Sequence, residues 1–176
     1  MIRSFKGIRP DMAETAWVDA TALVIGDVAL ADDVSVWPMT VIRGDVNYIR
    51  VGARTNIQDG SVIHVAHEGG MNPKGYPTLI GEDVTVGHKA VVHACTVGNA
   101  CLIGMCAAIL DGAVLEDEVM LAAGALVPPG KRLRGGHLYV GSPAREQRAL
   151  TDDEREFLRY SASHYVELAR EHRFGG

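Results

Sequence analysis

The sequence predicts an all-β solenoid, a parallel β-helix of hexapeptide repeats followed by one C-terminal α-helix. Aliphatic residues recur every six positions: Val24, Leu30, Val36 and Ile42; Val51, Ile57 and Ile63; Ile80, Val86 and Val92; then Val97, Ile103, Ile109, Leu115, Leu121 and Val127. A small residue falls four places after many of them, as at Val28, Val34, Val84, Ala90, Ala107, Ala113, Val119 and Ala125. That spacing does not fit an amphipathic helix, whose apolar residues return at i+3, i+4 and i+7. Finally, 20 glycines beside only 6% aromatic residues in 176 argue for a narrow core built by stacking rather than one large irregular core.

Each hexad supplies one short strand and one turn, with its aliphatic residue pointing inward, and three such faces close a triangular coil. Gly26, Gly81, Gly87, Gly98 and Gly104 directly follow an aliphatic residue, where a tight corner favours a residue without Cβ. Residues 1–150 read as one β-helix domain. Residues 65–79 interrupt it with three glycines and two prolines, and read as a loop extruded from a coil, a common seat of function. Residues 151–172 read as a helix that packs on the solenoid flank of its own chain or a neighbour. Thr151 and Glu154 have the capping-box spacing, and Leu158, Ala162, Tyr165 and Ala169 make an apolar stripe.

Composition excludes several function classes. Seventeen Lys and Arg against 22 Asp and Glu give a net charge of −5, which lacks the electrostatic footprint of a nucleic-acid or anionic-lipid binder. Acidic residues interrupt every apolar stretch before the ~18 residues a membrane-spanning helix needs. No apolar run follows Met1–Lys6, so a cytoplasmic protein is expected. Cys95, Cys101 and Cys106 form an odd, clustered set that suits a reducing compartment, and they read as small core residues.

The repeat places the histidines. With the loop replacing one corner, Ile63 and Val92 fall one coil apart on a shared face, A, while Val86 falls on face C. His64 and His93 each follow their aliphatic residue by one, so they stack outward on adjacent rungs about 4.8 Å apart. His88 follows Val86 by two on face C and does not easily reach the same point within its own chain. If Ile42–Val51 is one hexad with a three-residue insertion, Arg43 joins the His64 and His93 ladder, and Asp59 stacks under His88 with Gln58 beside it. A cyclic homotrimer sets face A of one subunit against face C of the next. Three histidines with an open position is a catalytic zinc pattern. Each residue also has an ordinary reading: a surface or turn histidine, turn aspartates at Asp45 and Asp59, and a solvated charge at Arg43.

Together, Val36-Trp37-Pro38, Arg43-Gly44-Asp45, Asn56-Ile57-Gln58-Asp59-Gly60, Val62-Ile63-His64, Gly87-His88-Lys89 and His93-Ala94-Cys95-Thr96 resemble the γ-class carbonic anhydrase family, in its short bacterial branch. The resemblance runs from about Gly7 to Tyr165. It implies a left-handed β-helix, a homotrimer, and a metal at each subunit interface held by His64 and His93 of one chain and His88 of its neighbour. Zn2+ is the expected ion, with Fe2+ or Co2+ equally suited to imidazole ligands. The implied activity is reversible hydration of CO2 to bicarbonate by hydroxide on the metal. In that scheme Gln58 bonds the metal-bound solvent, Asn56 orients the pocket, and Arg43 with Asp45 and Asp59 braces the interface.

The chain departs from the archaeal type of that family in two places. Val46 stands where that type has a glutamate after Arg-Gly-Asp, and a short loop with His67 and Glu68 replaces its longer acidic loop with a proton-shuttle glutamate. Turnover is therefore expected to be slow unless His67 carries protons, a task that imidazoles suit. Two other functions fit the repeat. Gly141-Ser142-Pro143-Ala144-Arg145 resembles the coil terminus of hexapeptide acyltransferases, and a non-catalytic, metal-stabilised trimeric scaffold needs no turnover at all.

Overall fold

The computed structural model describes residues 1–69 and 72–175; residues 70 and 71 of the extruded loop lie outside them. The chain winds a left-handed parallel β-helix of about eight turns that carries one C-terminal helix. All sixteen aliphatic positions of the six-residue count point inward, none more than 4% exposed. Three ladders of in-register parallel pairs define the faces. Face A stacks Val24, Ile42, Ile63, Val92, Ile109 and Val127. Face B stacks Leu30, Val51, Ile80, Val97, Leu115 and Leu133. Face C stacks Val18, Val36, Ile57, Val86, Ile103, Leu121 and Tyr139. Burying each such side chain contributes about 1.5–3 kcal/mol, which compensates for strands only two or three residues long.

The insertion after Ile42 is real, and the chain absorbs it within one long strand, Val41–Val51. Gly26 pairs with Gly44 but Val28 pairs with Ile49, so three extra residues bulge outward between them. Bulges of this kind re-aim side chains, and Asp45 sits in this one. The crowding that selects glycine is backbone of the next coil: a Cβ on Gly87 would lie 2.8 Å from the Ile103 carbonyl oxygen. The left-handed corner positions are mostly elsewhere, and Met39, Lys89 and Cys106 occupy three of them with φ near +60°. Cys106 therefore corrects the expectation of a core residue, because that corner turns its side chain to solvent. Cys95 and Cys101 are buried, and burial pushes both thiols up to about 12.

Residues 141–144 form the turn that ends the last coil, and the strand Arg145–Ala149 returns antiparallel against His137–Val140, a reversal the six-residue count does not contain. Helix α1, Asp152–Phe174, follows with the expected capping box between Thr151 and Glu154, and extends two residues beyond the expected end. It packs on the flank of its own solenoid. Leu158, Ala162 and Ala169 are buried there, whereas Tyr165 of the stripe is half-buried against Trp37, at 5.4 Å between ring centroids. No helix of the described residues is long and apolar enough to cross a membrane.

Candidate metal centre

Face A carries four polar side chains on successive rungs: Asp45, His64, His93 and Asp111. His93 pairs with His64 in the parallel ladder. Thr78, fully buried, locks these two rungs together: its hydroxyl donates to the His64 carbonyl and accepts from Ala94 N–H at 2.9 Å. His64 Nε2 lies 3.0 Å from Asp45 Oδ1, and His93 Nδ1 lies 2.6 Å from Asp111 Oδ1. Arg43 donates to the other Asp45 oxygen. Burial works against an ionised Asp45, but the hydrogen bonds from His64 and Arg43 outweigh it and hold its carboxyl below the usual range. Burial pushes the His64 imidazole down, against the pull of Asp45, so it stays neutral near pH 7.

These contacts settle where the protons sit. A carboxylate only accepts, so His64 carries its proton on Nε2 and His93 on Nδ1. The remaining ring nitrogens, His64 Nδ1 and His93 Nε2, face each other at 3.2 Å, and when both rings are neutral each presents a lone pair. Two acceptors aimed at each other call for a cation between or beside them. Two tetrahedral zinc ligands with Zn–N of about 2.0–2.1 Å sit about 3.3 Å apart, so the pair fits such an ion.

On face C, His88 Nδ1 lies 3.0 Å from Asp59 Oδ2, which leaves His88 Nε2 as the nitrogen facing away from the carboxylate, in the same carboxylate–imidazole arrangement. Within one chain, no three His, Cys, Asp or Glu side chains among the described residues converge on a point. Gln58 and Asn56 are buried beside His88's face. Gln58 Nε2 donates to Asn56 Oδ1 at 3.1 Å, Asn56 Nδ2 to Thr85 Oγ1 at 3.0 Å, and Thr85 shares a hydrogen bond of 2.8 Å with Ser161 of α1. The Gln58 side-chain oxygen, Oε1, takes no hydrogen bond from the described residues, and Gln58 lines a groove of about 480 Å3 with His88, Leu102, Met120, Phe157 and Tyr165. Burial, and then the Asp59 charge, push the Tyr165 hydroxyl up, so it stays neutral.

The structure thus brings Arg43 and Asp45 together with His64 and His93, and sets Asp59, Gln58 and Asn56 around His88. Within the chain Arg43 pairs with Asp45 and not with Asp59. His67 is exposed on the loop and, among the described residues, shares no hydrogen bond with any of these groups. Sequence reasoning passed over Asp111, Thr85 and Ser161. Asp111 was within reach of the count, since it lies two residues after Ile109, on the rung directly above His93.

No protein-family model matches the chain. It is 53% identical to protein YrdA of Escherichia coli over 98% of its own length and 94% of that protein's. It is 47% identical to gamma carbonic anhydrase 1, mitochondrial, of Arabidopsis thaliana over 93% of its own length. The chain belongs to the γ-carbonic anhydrase-like family of hexapeptide-repeat proteins. It spans 59% of the plant γ-carbonic anhydrase, so that protein has sequence with no counterpart here. A solved structure of a hexapeptide transferase family protein from Anaplasma phagocytophilum matches with a TM-score of 0.88 at 40% identity, covering 96% of each chain. The γ-carbonic anhydrase-like coil is therefore shared with a protein described as a transferase, and the fold does not choose between the two chemistries. The family is one of metal-dependent members.

Proposed function

We propose that this protein is a metal-dependent lyase of the carbonic anhydrase type, a cytoplasmic homotrimer that interconverts CO2 and bicarbonate at sites shared between subunits. The observation that carries this reading is the pair of ring nitrogens, His64 Nδ1 and His93 Nε2, that face each other at 3.2 Å, each ring oriented by a carboxylate one rung away. His88 carries the same arrangement on face C, and three-fold closure sets face C against the neighbouring face A. When bound there, Zn2+, Fe2+ or Co2+ supplies Lewis acidity that makes water a nucleophile near neutral pH.

The chain's own residues do the rest. Asp45, Asp59 and Asp111 each accept one ring N–H of the three imidazoles and so fix which nitrogen of each ring faces outward. Gln58 offers its side-chain oxygen to a water proton and so orients that water, while Asn56, tied to Thr85, fixes the Gln58 amide. Arg43 keeps Asp45 ionised and braces the interface with Asp59 of the facing subunit. His67, exposed on the loop, is the candidate to exchange protons with bulk water. The apolar wall of the groove favours an uncharged substrate such as CO2 over water.

The likeness to a transferase family protein favours one second reading, acyl transfer. Its sequence signal, Gly141–Arg145, is accounted for as the turn and start of the returning strand that end the last coil. The test is metal analysis of protein purified without oxygen, with stopped-flow CO2 hydration before and after chelation and metal restoration. About one metal per chain, with hydration that leaves and returns with it, is the expected result. Metal-loaded protein without hydration above buffer overturns the reading. Turnover of acetyl-CoA in that case supports transfer, and trimers that dissociate on chelation without any turnover support a scaffold.

A further inference from the structure

The extruded loop rests on the metal centre at two points, and neither involves His67. Asp111 divides its carboxylate between two elements. Oδ1 takes the proton of His93 Nδ1 at 2.6 Å, and Oδ2 accepts from Asn72 Nδ2 of the loop at 3.0 Å. The corner that carries Asp111 is clamped: its carbonyl accepts from Gly130 N–H at 2.8 Å, and Gly112 N–H donates to the Ala94 carbonyl at 2.7 Å. Tyr76 of the loop lies against Gly112, where an added Cβ would come within 3.3 Å of its ring. At the loop's base, Ala66 and Tyr76 bond each other through both backbone groups, and the Ala66 carbonyl accepts from Asn47 Nδ2 at 3.2 Å. Asn47 belongs to the bulge that presents Asp45 to His64. The loop therefore touches Asp111, which holds His93, and the bulge that carries Asp45, which holds His64.

We propose that Asp111 is a positioning residue that fixes the His93 ring, and that Asn72 extends this tie so that the loop and the metal centre order each other. The proposal rests on His93 being a metal ligand. A carboxylate held from two sides cannot swing away from the ring, so the His93 lone pair stays aimed at its partner. Linkage makes the tie reciprocal: whatever fixes the ring also fixes Asp111 and, through it, the loop.

The test uses the full-length protein and the variants Asp111→Ala, Asp111→Asn, Asn72→Ala and His93→Ala. Zn2+ affinity is read by competition with a chromophoric chelator, ligand geometry by the visible spectrum of Co2+-loaded protein, and loop order by amide hydrogen exchange of residues 72–79 with and without Zn2+. Asp111→Ala is expected to weaken Zn2+ binding about 10–100-fold and to change the Co2+ spectrum. Asp111→Asn, which keeps an oxygen facing Nδ1–H, recovers most of the affinity. Asn72→Ala, at the surface of the fold, costs a few-fold and removes the Zn2+-dependent protection of the loop. If Asp111→Ala and Asn72→Ala both match the parent in affinity, spectrum and loop protection while His93→Ala loses the metal, the inference is wrong and the metal site stands. If the parent itself binds no Zn2+, or His93→Ala binds it as tightly as the parent, the metal-site reading fails and the inference falls with it.

Discussion

Two inactive variants of this protein should restore each other. His93→Ala removes a proposed ligand from face A but leaves His88 on face C, and His88→Ala does the reverse. Neither variant alone builds a complete site, because every interface of its own trimer lacks the replaced ring. In a trimer formed at random from equal amounts of both, a site is complete only where face A comes from the His88→Ala chain and face C from the His93→Ala chain. Each condition holds with probability one half, so about one quarter of the interfaces regain all three histidines. The assay unfolds the two variants together, refolds them with Zn2+, and reads bound metal and CO2 hydration against parent protein treated alike. Both readouts should return to about a quarter of the parent value, and unmixed variants refolded in parallel should stay near zero. Recovery that stays at zero despite mixed trimers would refute a site shared between chains, and so would tight metal binding by either variant alone.

Other residues carry sharper structural expectations. Ile57→Ala empties a fully buried position on face C and should cost about 2–5 kcal/mol in denaturant unfolding, with the upper half expected because stacked coils cannot collapse into the gap. Ser161→Ala leaves the buried Thr85 hydroxyl without its partner on α1, which should cost about 1–3 kcal/mol and slow hydration through a loosened Gln58 without loss of metal. The Glu154 carboxyl is pulled down to about 2 by Arg148 and by the Thr151 backbone N–H. A depressed carboxyl stabilises the fold above its unfolded value near 4.5 and loses that contribution as pH falls toward 2. Thermal melts should therefore separate Glu154→Gln from the parent at neutral pH and converge in acid; a constant gap would contradict the cap's electrostatic share.

Most of the fold was legible because a hexad solenoid writes its core directly into the sequence. The face count alone placed Ile63 against Val92 and Asp59 under His88, and the insertion before Val51 was visible as a break of three. What the count missed has a common cause. The returning strand Arg145–Ala149 pairs antiparallel and obeys no six-residue period. The Asn72 contact to Asp111 spans 39 residues between an irregular loop and a coil corner, and no local pattern encodes it. Cys106 looked like core because small residues usually are, yet its corner has a positive φ that turns the side chain outward.

The parallel coil explains why so few residues suffice for a metal site. Residues at like offsets after the core aliphatic stack one rung apart, so a side chain acquires its nearest partner from a position one coil away rather than from its own neighbourhood. On this chain each histidine of the candidate centre meets a carboxylate on the adjoining rung: Asp45 below His64, Asp111 above His93 and Asp59 below His88. A histidine stacked without such a partner could turn either nitrogen outward, whereas the carboxylate leaves only one tautomer and one lone pair. A shared coil can thus serve a transferase or a lyase, and the sequence marks the difference in a handful of offsets: imidazoles one or two residues past the core position, each with an acid one rung away. Replacing those acids, rather than the core that holds them, should weaken the proposed metal site while leaving the solenoid folded.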